Sequence, residues 1–308
     1  MRILVLPSTF PRWAGDRGPP FVCELCKRRA GAHEVFVLAP HCRGAADQEM
    51  MGERLAVRRF RYAPELLELL AYEGGILENL KRARWRYLLV PLFFFAEWRA
   101  ALRAIRRERP DVIHAHWIVP QGVVAVIARL AAFGAKRPAI VCTSHGTDLF
   151  ALRGALASQF KACVVRRAAV LTVVSAAMKT QALRLGALAE NVRVMPMGVD
   201  ARQRFYPDGG ARRSANELLF VGRLVRQKGI VHLLEAFATV RESNSDAPLV
   251  VVGAGPLERE LRRHAQELAI DAAVTFAGAV ANENLARYYR RAAALVVPSI
   301  VTDRKSVV

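Results

Sequence analysis

Residues 217–240 read ELLFVGRLVRQKGIVHLLEAFATV. The short apolar run at 217–221 reads as a buried strand, Gly222 opens a turn, and a helix follows over 229–240. Working outward, the alternation continues downstream with strand 249–252, helix 257–269, strand 274–276, helix 283–291 and strand 294–297. Upstream, residues 196–213 (PMGVDARQRFYPDGGARR) are rich in Gly, Pro and charge, lack hydrophobic periodicity, and read as an interdomain linker. Before them the rhythm returns: strand 2–6 (RILVL), a Pro- and Gly-rich loop 7–20, helix 21–30 and strand 34–39. Pro110 ends a long arginine-rich helix. Strand 111–114, helix 121–133, strand 139–143, helix 158–167, strand 170–174, helix 176–185 and strand 192–195 follow. Short apolar strands with intervening helices in both halves predict an α/β protein of two Rossmann-like, doubly wound domains, at 1–195 and 214–302. Nothing repeats at a fixed period, which excludes a solenoid.

A length of 308 residues suits two such domains, and 53 % hydrophobic residues indicate packed cores rather than disorder. The net charge is +19. Residues 1–200 hold 30 basic and 16 acidic side chains, or +14, so the excess lies mainly in the first half. A basic surface attracts phosphates of any kind, whether on sugar nucleotides, anionic lipid or nucleic acid. Arginine-rich composition also follows from a GC-rich genome. No charged segment followed by a long apolar one marks a secretion signal. Five cysteines, an odd number, without such a signal point to a reducing compartment. Cys23 and Cys26 form one CxxC without the second pair that structural zinc would need. The longest apolar run, residues 87–96 (YLLVPLFFFA), is about half of a membrane span. Arg82, Arg84 and Arg86 precede it, and Arg99, Arg103, Arg106 and Arg107 follow. Two readings fit: a helix resting on anionic lipid, or a domain helix whose apolar side faces the core.

Four loops at carboxyl ends of strands hold polar or glycine residues. In the first, residues 7–20, Gly15 and Gly18 precede a helix whose start favours negative charge; a plain loop is the alternative. The second is DVIHAHW at 111–117, in which His114 and His116 share a face if the strand continues that far. No nearby Asp, Glu or Cys completes a metal site with them. The third is TSHGTD at 143–148, where His145, hydroxyls and Asp148 suit recognition of a polyol, against structural hydrogen bonding. In the fourth, Arg223 and Lys228 flank a helix start, the layout of a diphosphate site. Gly253 and Gly255 end the next strand, but Glu258 stands at the third glycine position, so the dinucleotide fingerprint fails. These phosphate-seeking residues sit singly at strand ends and are not interleaved with aromatics on one face, which argues against nucleic acid.

The ordered set DVIHAHW, SHGTD, VGRLVRQKG, VVGAGP and VTFAGAV resembles the retaining glycosyltransferases of family 4 (glycosyl transferases group 1), which have the GT-B fold. The resemblance runs from residue 1 to about 302. It implies transfer of a sugar from a nucleotide diphosphate sugar, as co-substrate, to a glycan or lipid-linked acceptor in cell-envelope synthesis. It also implies a cytoplasmic enzyme, at the inner face of the plasma membrane where lipid-linked acceptors reside. By the same resemblance, His116 lies beside the transferred sugar as the catalytic position, and Arg223 and Lys228 grip the donor diphosphate. Gly18 belongs to the loop closing over phosphate and acceptor. His145, with Asp148, lines the sugar and acceptor cleft, and the loop holding Gly278 and Val280 cradles the nucleobase. No metal or other cofactor is implied. Another GT-B activity, such as a sugar-nucleotide epimerase, is the rival enzyme reading.

One family feature is missing. A pair of glutamates seven residues apart follows the strand ending like LVVPS in that family, whereas no glutamate lies beyond Glu283 here. The resemblance therefore predicts an incomplete second domain, and an inactive or weakly nucleotide-binding fragment. The final DRKSVV, residues 303–308, matches translation of a common sequencing-adapter string, GAT CGG AAG AGC GTC GTG, and reads as a non-native tail; a genuine short C-terminus is the alternative.

Overall fold

A computed structural model describes residues 1–300, apart from 17, 19, 135–136, 209–212 and 244. The expected tail at 303–308 lies outside the described residues. The chain divides into two units, residues 1–197 and the residues from 198 onward.

The first unit begins as expected with β1 (Arg2–Leu6), α1 (Phe21–Ala30) and β2 (Glu34–Pro40). Two strands not foreseen follow, β3 (Gln48–Met50) and β4 (Leu55–Phe60), and then α2 (Ile76–Arg82). Next come α3 (Leu89–Glu108), β5 (Val112–His116), α4 (Val123–Ala131), β6 (Ala139–Thr143) and α5 (Thr147–Phe150). The unit ends with α6 (Ala155–Arg167), β7 (Val170–Val173), α7 (Ala176–Arg184) and β8 (Val192–Val194). The sheet order is β3-β4-β2-β1-β5-β6-β7-β8, parallel except for the β3–β4 pair. Both sheet faces are covered, as a parallel sheet requires. In β1, Leu4 and Leu6 join one core with Ile113, Phe93 and Ile105, while Ile3 and Val5 join another with Val22 and Val35. That is the period-two alternation of a strand buried on both sides. β2 and β5 flank β1, so the chain departs in opposite directions on either side of it, leaving a crevice at the carboxyl ends.

The β4 strand escaped prediction because Arg58 and Arg59 interrupt its apolar pattern. Arg59 is nevertheless buried; its guanidinium donates to the carbonyls of Pro11 and Ala46, both at 2.7 Å, and pairs with Glu49. Desolvation of the charge is offset by these bonds.

The apolar run is divided between the two sides of α3. Leu89, Phe93, Glu97, Ala101 and Ile105 are buried, while Leu88, Leu92 and Phe95 are exposed. Pro91 falls in the first turn, where its missing N–H costs nothing. No described helix is long and apolar enough to cross a membrane.

The second unit carries β9 (Leu218–Val221), α8 (Ile230–Ser243), β10 (Leu249–Val252), α9 (Glu258–Glu267), β11 (Val274–Gly278), α10 (Leu285–Arg291) and β12 (Ala294–Leu295). Its sheet order is β11-β10-β9-β12, all parallel, so β9 and β12 meet at another switch point. β12 is shorter than the predicted 294–297, and Leu295 and Val297 are about half exposed at this edge. Part of the segment read as a linker is fastened rather than loose. Arg290 donates to the carbonyls of Tyr206 and Arg204, each at 3.1 Å, and Phe205 meets Tyr289 at 5.8 Å.

Glu97 sits wholly within the first core. Its one contact is long, 3.5 Å from Gln121 Nε2, and burial pushes its carboxyl up to about 8. A carboxyl held above its unfolded value stabilises the fold fully below that value and loses the contribution as pH rises through about 8. Stability should therefore fall by about 1.4 kcal/mol per unit from roughly pH 5 to 8 on this account. In Glu97→Gln that component should vanish, giving a flatter profile of melting temperature against pH; superimposable profiles would remove Glu97 as the cause.

Candidate functional site

In the first unit the site is assembled where β1, β5 and β6 end. β5 begins within the expected 111–114 and continues to His116, so His114 and His116 project from one face with ring centroids 4.3 Å apart. His116 Nδ1 lies 3.0 Å from His145 Nε2, and the two rings are nearly parallel at 7°. His114 Nε2 meets Thr143 Oγ1 at 2.8 Å, and that hydroxyl meets Thr172 Oγ1 at 2.6 Å. Phe21 and Trp117 close over His145, with centroids at 4.9 and 4.7 Å.

His116 and His145 are buried, and His114 is half-buried. His116 and His145 are each only 1 % exposed, so neither forms an open wall of a cleft within this unit. Burial, then the neighbouring His114 and His145, hold His116 well below the usual imidazole value; burial and Arg29 hold His114 at about 4. His116 is therefore neutral near pH 7 and supplies no positive charge to a reaction. What it offers is a hydrogen bond: among the described residues its Nε2 is buried without a partner.

Asp148 is likewise buried. One oxygen accepts from the Ile118 N–H at 2.6 Å, and the other from the Ser144 hydroxyl at 2.9 Å and the His145 N–H at 3.2 Å. Burial raises its carboxyl despite these bonds, which pull the other way. The carboxylate thus ties the loop after β5 to the loop after β6 and fixes the register of His116 against His145. Lys161, also buried, donates to the carbonyls of Leu149 and Leu152 at 3.0 and 2.7 Å and closes the end of α5.

The loop 7–20 is braced internally. Arg12 bonds both oxygens of Asp16, at 2.9 and 2.8 Å, and draws that carboxyl down to about 2. The Gly18 N–H donates to Asp16 at 3.2 Å. The conformational demand for glycine lies at Gly15, with φ +78°, whereas a Cβ at 18 would first meet Asp16, at an ordinary 3.5 Å. Trp117, unmarked by the sequence analysis, adopts φ +78°, unusual for a bulky residue at the start of a functional turn. Gly122, in the following turn, has no room for a Cβ, which would stand 2.7 Å from Val164. Their sequence signal was HW at a strand end followed by PxG.

In the second unit the loops after β9, β10 and β11 interlock through backbone. The Gly222 and Leu224 N–H groups donate to Val252 and Ala254, and Gly253 N–H donates to the Gly278 carbonyl. A Cβ at Gly253 would fall 1.8 Å from the Gly222 oxygen, and one at Gly255 2.4 Å from that of Leu224. The glycines of GAGP therefore serve close backbone approach. Gly229, at φ +64°, abuts the Pro298 carbonyl and precedes α8. Arg223 is exposed, with no side-chain hydrogen bond or ion pair among the described residues; Lys228 is half-buried. Gly278, at the end of β11, accepts from the Gly253 N–H of the loop after β10, and the half-buried Val280 follows it. The expected diphosphate and nucleobase residues thus come together at one end of one sheet. Among the described residues no cluster of three His, Cys, Asp or Glu could hold a metal.

The three bonds to Asp148 make a direct test. Asp148→Asn places an N–H₂ against donor groups and should destabilise the protein by about 1–3 kcal/mol. Hydrogen exchange should speed at the Ile118 and His145 amides; unchanged melting and exchange would show the tie to be inconsequential.

Residues 21–203 match the family model described as Glycosyltransferase Family 4, and residues 202–303 match Glycosyl transferases group 1. The chain is 30 % identical over 312 residues to the GDP-mannose-dependent alpha-(1-6)-phosphatidylinositol monomannoside mannosyltransferase of Mycobacterium tuberculosis, covering 96 % of this chain and 72 % of that protein. It is 30 % identical over 203 residues to glycogen synthase of the same species, covering 63 % of this chain and 48 % of the synthase. The chain thus spans about half the length of the glycogen synthases it matches. Among solved structures, sucrose-phosphate synthase from Thermosynechococcus elongatus superposes with a TM-score of 0.71 at 22 % identity, covering 97 % of this chain and 75 % of that one. Anabaena HepE in complex with UDP gives 0.65 at 18 %, covering 97 % and 74 %. These structural likenesses show a GT-B fold. With 183 of 308 residues inside the first family model (203 − 20), this chain belongs to Glycosyltransferase Family 4.

Proposed function

We propose that the protein transfers a sugar from a nucleotide diphosphate sugar to a glycan or lipid-linked acceptor, with retention at the anomeric carbon, in cytoplasmic assembly of cell-envelope glycan. The observation that carries this reading is the exposed Arg223 guanidinium, without an ion pair among the described residues, just after β9, ahead of the α8 amino terminus and beside the glycine-lined loop after β10. A helix start and two cations form a site for the departing diphosphate without a metal. The mannosyltransferase relative supports the donor class by its name, and HepE by its bound UDP. Its acceptor class and envelope role follow the mannosyltransferase and a putative teichuronic acid biosynthesis glycosyltransferase of Bacillus subtilis, 30 % identical over 212 residues.

In this reading Arg223 and Lys228 hold the two phosphates, and the backbone around Gly278 and Val280 faces the base. Gly18 leaves space in the loop after β1 for a ligand's approach. His116 acts as a neutral hydrogen-bonding group rather than a cation, with its orientation set by His145 and, through the loops, by Asp148.

Charge-assisted hydrogen bonds contribute about 1.5–3 kcal/mol each, so Arg223→Ala and Lys228→Ala should each weaken nucleoside diphosphate binding roughly ten- to a hundredfold. Calorimetry with GDP, UDP and ADP reads this and selects the base; undiminished binding in both variants would place the diphosphate elsewhere. His116→Ala, in contrast, should lower turnover far more than nucleoside diphosphate affinity. Its loss should also leave the pH dependence between about 6 and 8 unchanged, because the ring is already neutral there. Near-normal turnover would return His116 to a purely structural place.

A further inference from the structure

We propose that the amino-terminal half of α3 and the turn before it form a docking surface for an anionic lipid bilayer, with the helix tilted so that its amino end lies deepest. The buried stripe of α3, at 89, 93, 97, 101 and 105, is spent on the core. The opposite stripe, at 88, 92, 95, 99, 103 and 106, follows helical spacing and is exposed throughout. Its first three members are Leu88 (75 % exposed), Leu92 (50 %) and Phe95 (57 %); its last three are arginines.

Large apolar side chains on one outward stripe stay half or more exposed, Phe95 meeting Trp98 of the same helix at 5.8 Å between ring centroids, and Trp85 and Tyr87 stand exposed just before them. Such amphipathic rings suit the level of lipid headgroups. Charge selects the occupant. Residues 81–107 contain eight Lys or Arg and one acidic residue, Glu97, whose side chain is buried. Glu78, just upstream, pairs with Lys81 at 3.0 Å, and Glu108, just downstream, with Arg58 at 2.8 Å. The surface that reaches solvent is therefore apolar and cationic, the combination that anionic headgroups over acyl chains would satisfy. Because apolar side chains precede the arginines along the same stripe of α3, tilt satisfies both, while the long side chains of Lys81, Arg82 and Arg84, on the turn before, reach back to the headgroups. Over about 30 Å of helix, the first two turns would enter the acyl boundary while Arg99, Arg103 and Arg106 meet phosphates above.

The test needs neither donor nor acceptor, so its result is independent of the transfer reaction. The purified chain is sedimented with vesicles of phosphatidylcholine alone and of phosphatidylcholine with phosphatidylglycerol. Binding should require the anionic lipid and weaken about fivefold for each arginine neutralised in Arg99→Ala and Arg103→Ala. Leu88→Ser with Leu92→Ser should reduce it at least roughly tenfold, from the apolar area withdrawn. These side chains are exposed, so far-ultraviolet dichroism and melting should match the parent. The tilt is read by quenching tryptophan fluorescence with lipids brominated along the acyl chain. Trp85→Phe should remove most of the quenching, although Trp13, Trp98 and Trp117 remain. Equal binding to uncharged vesicles, binding without quenching, or a concentration-dependent dimer lost in the serine variants would each overturn the proposal.

Discussion

The parallel pairing of β1 with β5, which sets Leu6 opposite Ala115, governs what the first unit can do. Because β2 occupies the other side of β1, the loops leaving β1 and β5 must part. The divergence creates the space that Phe21, Trp117 and the histidine pair occupy. The second unit repeats the constraint between β9 and β12, where Gly229 packs against the Pro298 backbone. Hydrogen bonding within two sheets thus brings the chemically rich loops to carboxyl ends. No loop needs a long excursion to get there.

Buried polar groups then determine how firmly those loops are held. Asp148 is desolvated but receives three hydrogen bonds, and Lys161 and Arg59 are similarly supplied with carbonyls. Asp148 and Arg59 tie together segments distant in sequence and Lys161 a local one, so the cost of burial is offset by bonds that fix loop geometry. Glu97 is of another kind, since one long contact leaves it to take up a proton instead of ionising. His116 stands between these cases: one nitrogen is engaged by His145 and the other is buried without a partner among the described residues. A buried imidazole with an unfilled valence stays neutral, which limits it to hydrogen bonding.

The elements with clean patterns were legible from sequence. β1, α1, β6 and β10 fall at the predicted bounds, because runs such as RILVL and LVVV are apolar on both faces and end in turn residues. The strand at 55–60 was not, since its two arginines resemble solvent-facing residues until the carbonyls that receive Arg59 are known. The double use of α3 was also hidden. A run of ten apolar residues carries no mark of which are turned inward, and only packing against β1 and β4 separates Phe93 from Phe95.

The sequence by itself determined the class of fold, the strand-end loops that hold polar residues, and the cationic excess of the first half. Local spacing and composition suffice for these, because backbone preference and hydrophobic period act over a few residues. Only the tertiary structure decided which polar residues face solvent and which are consumed internally. Asp148 and Arg223 both sit at strand ends and look equally available in the sequence. One accepts from donors of its own loop and of the loop after β5, and the other extends from the surface without an ion pair among the described residues. Solvation and hydrogen-bond partnership are properties of segments brought together across the chain, so no reading of neighbouring residues could distinguish the two.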